Sequence, residues 1–582
     1  MNKIVIIFKY IFLNINRELK KKLFFLFSIM VIAALMEVGS IASLIPFLQN
    51  VLFVDTSKEI LVFDNYFNNF EIYNKYRFSF ITIFFISFIL LSLFVRLYLL
   101  KLMFRFTREL GYYFATQIFN KIVNLNYLNF TKESSSKYLS ILETKVDKIV
   151  DMVHNGVEIV SSIIILSFIL VALLIINPEI TLLIFAFFLV CYYFLFRRYK
   201  KKMNKVGEDY SVGLSGRMKN VQEIFGSFRL LKLDQLKSKI FFTNRFLNLD
   251  FKIRSALETI NFLGNFPRFL VEGIAIVVIS ILAFFLIKFE VYEQEIIILS
   301  LGVIGFSAQR LLPLIQKIYF SSSYIISCKD AAYDGIEFLL NKDLEEKNTF
   351  KVSNEKIIKL NDSIKLKNIS FTYSTKNENK IFNNINLKIE KNSKVCILGK
   401  TGSGKSTFVD LIVGLLKPEN GEVYIDNNNI ENVLQSWHNQ ISYVPQSTFL
   451  LDSTILENIA FGINKNDIDL LKVENSIKLA GLKEFIDTLP EKYNSRIGER
   501  GIQLSGGQIQ RVGLARAFYK EFEVLILDES TNALDSDTEN EIYNNIRKIL
   551  KNKTIIVITH KKELSKNFDK VIRINDGLIE IS

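Results

Sequence analysis

Residues 394–407 read KVCILGKTGSGKST. A short apolar, β-type run ends in glycine, a glycine-rich loop follows, and the next residues, KSTFVDLIVGLL, have the apolar spacing of a helix. In a strand, loop and helix of this kind, backbone N–H groups close around phosphate and the helix N-terminus adds partial positive charge. The lysine reaches the terminal phosphates, and the hydroxyl after it meets a divalent cation. The expected nucleotide-phosphate site is therefore Gly399, Lys400, Thr401, Gly402, Ser403, Gly404, Lys405, Ser406 and Thr407, with Ser406 also a ligand of Mg²⁺.

Around this loop lie further short runs: IKLKNISFTY (364–373), NINLKI (384–389), GEVYID (421–426), ISYVP (441–445), EVLILDE (523–529) and TIIVITH (554–560). Alternating with helical stretches, they predict an α/β domain over residues 362–582. EVLILDE delivers Asp528 and Glu529 to the end of a buried strand, Asp528 to hold Mg²⁺ and Glu529 to polarise or deprotonate the attacking water. Gln446 and His560 end two other strands, the first placed to sense metal and water, the second to contact the γ-phosphate. The expected cofactors are ATP and Mg²⁺.

Upstream the pattern changes. The chain has 582 residues, is 50% hydrophobic and carries 52 Phe. A bilayer core needs about 20 apolar residues in helix. Six such runs are expected as spans: Leu23 to Leu48, Phe78 to Leu100, Val157 to Ile176, Ile180 to Phe196, Phe269 to Ile287 and Ile296 to Ile318. NPE at 177–179 predicts a tight hairpin between the third and fourth. Outside the spans one side of the membrane carries 29 Lys and Arg and the other 4. The positive-inside rule then puts both termini in the cytoplasm and the protein in the cytoplasmic membrane. The net charge of +13 is thus a topology signal, and nucleic-acid binding is not expected. The connections 101–156 and 197–265 read as helical continuations of their spans, residues 49–77 as a short helix at the outer surface, and KIVIIFKYIFL as an interfacial helix. Cys191, Cys328 and Cys396 have no metal spacing. The expected division is a membrane domain at 1–340, a linker at 341–361 and the α/β domain at 362–582.

GKTGSGKST, YVPQ, IGERGIQLSGGQ, EVLILDES, ALD and VITH together resemble, in order and spacing, the ATP-binding-cassette (ABC) ATPases, and the whole chain resembles an ABC exporter half-transporter. That resemblance implies a six-helix membrane domain with long cytoplasmic extensions, followed by a P-loop ATPase cassette. It also implies a homodimer with head-to-tail cassettes, in which Ser505, Gly506, Gly507 and Gln508 of one chain complete the ATP site held by Lys405 of the other. It places Tyr373 on the adenine and makes IGERG (497–501) the loop that feels the membrane helices. Two positions depart from the family pattern, Asn532 where Ser is usual and Ile509 where a basic residue is common.

Polar groups inside spans are costly and are therefore functional candidates. Counting along the helices at about 1.5 Å per residue puts Arg96, Arg268 and Arg310 in one layer, roughly 21 to 28 Å below the outer surface. Two readings stand: snorkelling, with Arg268 paired to Glu272 at i,i+4, or a basic belt for a phosphate or pyrophosphate headgroup. FPRFLVEG and AQRLLP are similar to segments of the bacterial flippases of lipid-linked oligosaccharides (PglK type), which implies a polyprenyl-pyrophosphate oligosaccharide as cargo. The alternative is another amphipathic cargo: a lipid A type glycolipid, a peptide or a hydrophobic drug. Glu37, counted about 21 Å up from the cytoplasmic end of its span, is expected at a different depth from the arginines.

Overall fold

The computed structural model describes residues 3–52, 76–176, 178–234, 236–288, 294–341, 358–373, 381–498, 501–575 and 577–581. The chain forms two compact units, Met1–Leu125 with Asn129–Lys347, and Asn126–Leu128 with Asn348–Ser582.

The first unit is helical: α1 (Lys3–Asn14), α2 (Arg17–Ala42), α3 (Leu44–Leu52), α4 (Arg77–Val123), α5 (Val146–Ile176), α6 (Pro178–Gly226), α7 (Lys237–Lys288) and α8 (Gln294–Leu340). Among the described residues four stretches are long and apolar enough to cross a membrane: Arg17–Leu48, Phe78–Val123, Ser135–Ile175 and Lys237–Ile281. The expected fourth and sixth spans fall within α6 and α8. Helices α4 and α6 to α8 run 47 to 52 residues, about 70 Å or more, so each greatly exceeds the thickness of a bilayer core. The basic connections are indeed helical extensions of their spans, interrupted by short breaks and short helices. A turn of π-helix (Ile141–Lys145) leads into α5, and a short helix (Phe228–Leu233) precedes α7. Pro178 opens α6, a position where its missing N–H is harmless. Of the outer segment 49–77, residues 53–75 lie outside the described residues, as do Asn177, 342–357 of the linker, and Glu499 and Arg500 of IGERG.

Helices α6 and α8 approach backbone to backbone. A Cβ placed on Gly207 would lie 2.3 Å from the carbonyl oxygen of Ser327, so only glycine fits. Lys145, at the end of the π-helical turn before α5, pairs with Asp334 of α8 at 2.7 Å, and Lys3 of α1 with Asp330 at 2.7 Å.

The second unit carries two sheets. β1 (Ser363–Phe371), β2 (Phe382–Glu390), β4 (Asn420–Ile425) and β5 (Asn428–Asn429) form an antiparallel sheet in the order β2-β1-β4-β5. The second has the order β10-β9-β3-β8-β7-β6, from β3 (Lys394–Gly399), β6 (Ile441–Val444), β7 (Val524–Asp528), β8 (Thr554–Thr559), β9 (Lys570–Asn575) and β10 (Leu578–Ile581). Strands β9, β3, β8, β7 and β6 are parallel, and only β10 runs against its neighbour. β7 and β8 are buried along their whole length, which explains their uninterrupted apolar sequence. Parallel strands bring all their carboxyl ends to one edge, and ligand crevices form there.

Candidate nucleotide and membrane sites

That edge collects the loop after β3, Gln446 beyond β6, Asp528 and Glu529 at the end of β7, and His560 after β8. Gly402 (φ +82°) and Gly404 (φ +98°) take backbone conformations that side chains resist, curling the loop before helix Lys405–Val413. The Lys405 side chain is 8% exposed; its Nζ donates to the carbonyls of Gly399 (2.9 Å) and Lys400 (3.2 Å) and lies 3.5 Å from Glu529 Oε1. Glu529 Oε2 accepts hydrogen bonds from Gln446 Nε2 (2.9 Å) and Asn532 Nδ2 (3.2 Å). Glu529 itself stands at φ +48°, its N–H bonded to Ile558 O at 3.0 Å. A non-glycine residue there stores strain, as catalytic side chains often do.

Asp528 accepts a hydrogen bond from Tyr443 OH at 3.1 Å. Burial pushes its carboxyl above the usual range, and the Glu529 charge adds to this; Tyr443 and Lys405 act against it. Asp410, one turn along the helix from the loop, is pushed up to about 6 by burial and by the charge of Asp528. The buried Asp528 carboxyl, raised in part by the neighbouring Glu529 charge, the exposed Ser406 hydroxyl and the Gln446 amide offer hard oxygen donors suited to Mg²⁺, which binds few protein ligands, keeps the rest as water and phosphate, and would favour the ionised carboxylate. The residues present therefore fit the expected cation.

Tyr373 lies beyond the end of β1 rather than on it, 46% exposed, with its OH 3.0 Å from Thr407 Oγ1. An aromatic face thus stands beside the phosphate loop. His560 is exposed at the same edge. Ser505 is the N-cap of helix Gly506–Tyr519, its Oγ accepting from Gln508 N (3.2 Å) while Gln508 Oε1 accepts from Ser505 N (2.8 Å). This reciprocal cap aims a 14-residue helix outward from an exposed serine. Sequence reasoning missed Gln510, whose Oε1 accepts from Ala533 N at 3.0 Å and ties this helix to the segment after Glu529. It also missed Tyr443 and Asp410; the polar positions in ISYVP and FVDLIV were the available signal.

In the membrane unit the depth count for Glu37 is overturned. Its side chain is 2% exposed and pairs with Arg96 NH1 (2.8 Å) and Arg310 NH1 (3.3 Å). Ends of apolar runs are poor rulers for bilayer depth, and a buried carboxylate is stable only in a register that brings it a cation. Arg96 and Arg310 line a cavity of about 350 Å³ with Glu158, Ser161, Ser162 and Lys317. The structure does not bring Arg268 into this group; it pairs with Glu272 at 2.8 Å.

Residues 382–532 match the sequence profile of the family described as ABC transporter. A putative export ATP-binding/permease protein of Rickettsia bellii is 36% identical over 219 residues, 38% of this chain and 38% of that protein. The alpha-hemolysin translocation ATP-binding protein HlyB of Escherichia coli O157:H7 is 37% identical over 242 residues, 41% and 33% of the two chains. This chain spans well under half the length of the curated relatives it matches. The solved structure of a bacterial Atm1-family ABC exporter with ATP bound superposes with a TM-score of 0.79 at 19% identity, covering 98% of this chain and 96% of that one. The chain therefore shares the fold of that structure.

Proposed function

We propose that the chain is an ATP-driven exporter that works as a homodimer in the cytoplasmic membrane, with six spans and the cassette in the cytoplasm. The observation that carries the engine is the Glu529 carboxylate, set among Lys405, Gln446 and Asn532 at the carboxyl ends of β3, β6 and β7. Lys405 and the loop amides hold the phosphates, Ser406, Asp528 and Gln446 the Mg²⁺, Tyr373 the adenine. Glu529 orients and deprotonates water, with His560 at the γ-phosphate. Ser505 and Gly507 of the second chain close over the same phosphates. ATP then holds the cassettes together, and hydrolysis frees them.

The preferred cargo is a polyprenyl-pyrophosphate oligosaccharide moved from the inner to the outer leaflet. The cavity lined by Arg96 and Arg310 supports it, because guanidinium groups match phosphate oxygens bidentately, while the apolar part of the same lining, with Leu93, Leu97 and Leu314, suits the amphipathic character of such a lipid. The deciding experiment is ATP-dependent flipping of this lipid in proteoliposomes. Wild type should flip it, Glu529→Gln should lose both hydrolysis and flipping, and Arg310→Ala should lose flipping while retaining hydrolysis. Hydrolysis by wild type without flipping would remove the cargo and leave the exporter, with glycolipids, peptides and hydrophobic drugs as the next substrates.

A further inference from the structure

Helix α1 buries Ile7 and Ile11 and exposes Lys9, Phe12 and Leu13, the division expected of a helix lying at an interface. Its start is fastened to α8 by the Lys3–Asp330 pair, and Asn16 caps α2 by accepting from Leu19 N at 2.8 Å. Between α1 and the early turns of α2 lies a cavity of about 470 Å³, walled further by Phe106 of α4, Val157 of α5 and Ile325 of α8. Its lining is apolar throughout and shares no residue with the cavity of Arg96 and Arg310. It follows α2 from Leu23 to Met30, about 10 Å of helix.

A space of this size without a polar wall is a poor site for water and calls for an apolar guest. The charge around it selects the guest further. Arg17, Lys20 and Lys21 are exposed on the first turns of α2 and Lys9 on α1, and none has a carboxylate partner among the described residues. The Lys20 ammonium sits over the ring of Phe12, a wall of the cavity, at 5.6 Å from its centroid. The apolar slot thus ends beside a group of cations at the amino end of the first apolar helix.

We propose that this cavity holds one acyl chain of an anionic phospholipid of the cytoplasmic leaflet, its phosphate held by Lys20 and Lys21. The inference rests on the membrane placement given above, but not on the cargo or on hydrolysis. The lipid is a resident that joins α1 to α2, α4, α5 and α8, distinct from whatever is transported.

The test uses the full chain in phosphatidylcholine vesicles containing a minor share of brominated phosphatidylglycerol or, in parallel, of brominated phosphatidylcholine. Phe27→Trp, in the cavity wall, reports quenching against the single native tryptophan, Trp437, which is 1% exposed in the cassette. Phe94→Trp, 69% exposed at its native ring, reports the open bilayer. In the Phe27→Trp chain a roughly fivefold or greater preference for quenching by the anionic lipid is expected, since each surface cation contributes about a factor of five. That preference should be absent from the Phe94→Trp chain and abolished when Lys20→Ala/Lys21→Ala is added to Phe27→Trp. Equal quenching of the Phe27→Trp chain by both lipids, or none by either, overturns the proposal. Hydrolysis measured in the same vesicles separates the two readings: selectivity without hydrolysis removes the engine alone, and hydrolysis without selectivity removes the resident lipid alone.

Discussion

At the scale of single residues, the Glu529 carboxylate is tightly constrained. It is held by two amides and faces an ammonium while its own backbone is strained. Asn532 replaces the serine usual in such cassettes, and its longer side chain explains how it reaches Oε2 at 3.2 Å. Removing one hydrogen bond to a charged group should weaken its alignment more than its substrate affinity. Asn532→Ala is expected to lower kcat for ATP about three- to tenfold with KM nearly unchanged, read in steady-state hydrolysis. An unchanged kcat would make Asn532 a bystander. His438 supplies a pH effect remote from this site. Its Nε2 is bonded to Val413 O at 2.9 Å, and burial, aided by the Lys520 charge, holds its pKa below 6.5. The folded cassette therefore favours the neutral ring. That contribution is complete above pH 6.5 and is lost as pH falls below it toward the lowered folded value. The thermal midpoint of the cassette should drop over this window in wild type, and His438→Gln should flatten the drop.

At the scale of elements, the contact of α6 with α8 depends on one hydrogen atom. With 2.3 Å between a Cβ on Gly207 and Ser327 O, Gly207→Leu must separate two backbones rather than rotate a side chain. It should destabilise the membrane unit by about 2–3 kcal/mol and show as early aggregation on heating in detergent, whereas Gly226→Leu, with no atom within 4 Å of its Cβ, should not. The elements themselves were legible. Runs such as VLILD and TIIVIT are buried on both faces, so their sequence has few polar positions to confuse the period. The loop KTGSGK was legible because its chemistry demands glycine where φ is positive. The Glu37 pairings were not, because they join helices far apart in sequence and depend on how α2, α4 and α8 are rotated, which hydropathy does not encode. The Tyr443–Asp528 bond was hidden for a related reason: it depends on β6 lying beside β7, an adjacency set by crossovers and not by local pattern.

At the scale of the whole molecule, the proposed homodimer makes a definite demand. If Ser505 of one chain completes the site of Lys405 in the other, Lys405→Ala and Ser505→Arg chains should each be inactive as homodimers, yet form one intact site when paired. Mixing the two in detergent before reconstitution should restore hydrolysis that neither has alone. Failure to complement in mixed dimers isolated by two tags would remove the head-to-tail arrangement. The paired arginines have a different consequence for throughput. Because Arg96 and Arg310 already hold a counter-ion in Glu37, the anionic cargo proposed above would not meet bare positive charge; it would displace a tethered competitor that stays within reach. In that proposed cycle such exchange would set a ceiling on affinity and a floor under the release rate, since the carboxylate is always present to reclaim its cations. Turnover is favoured over capture.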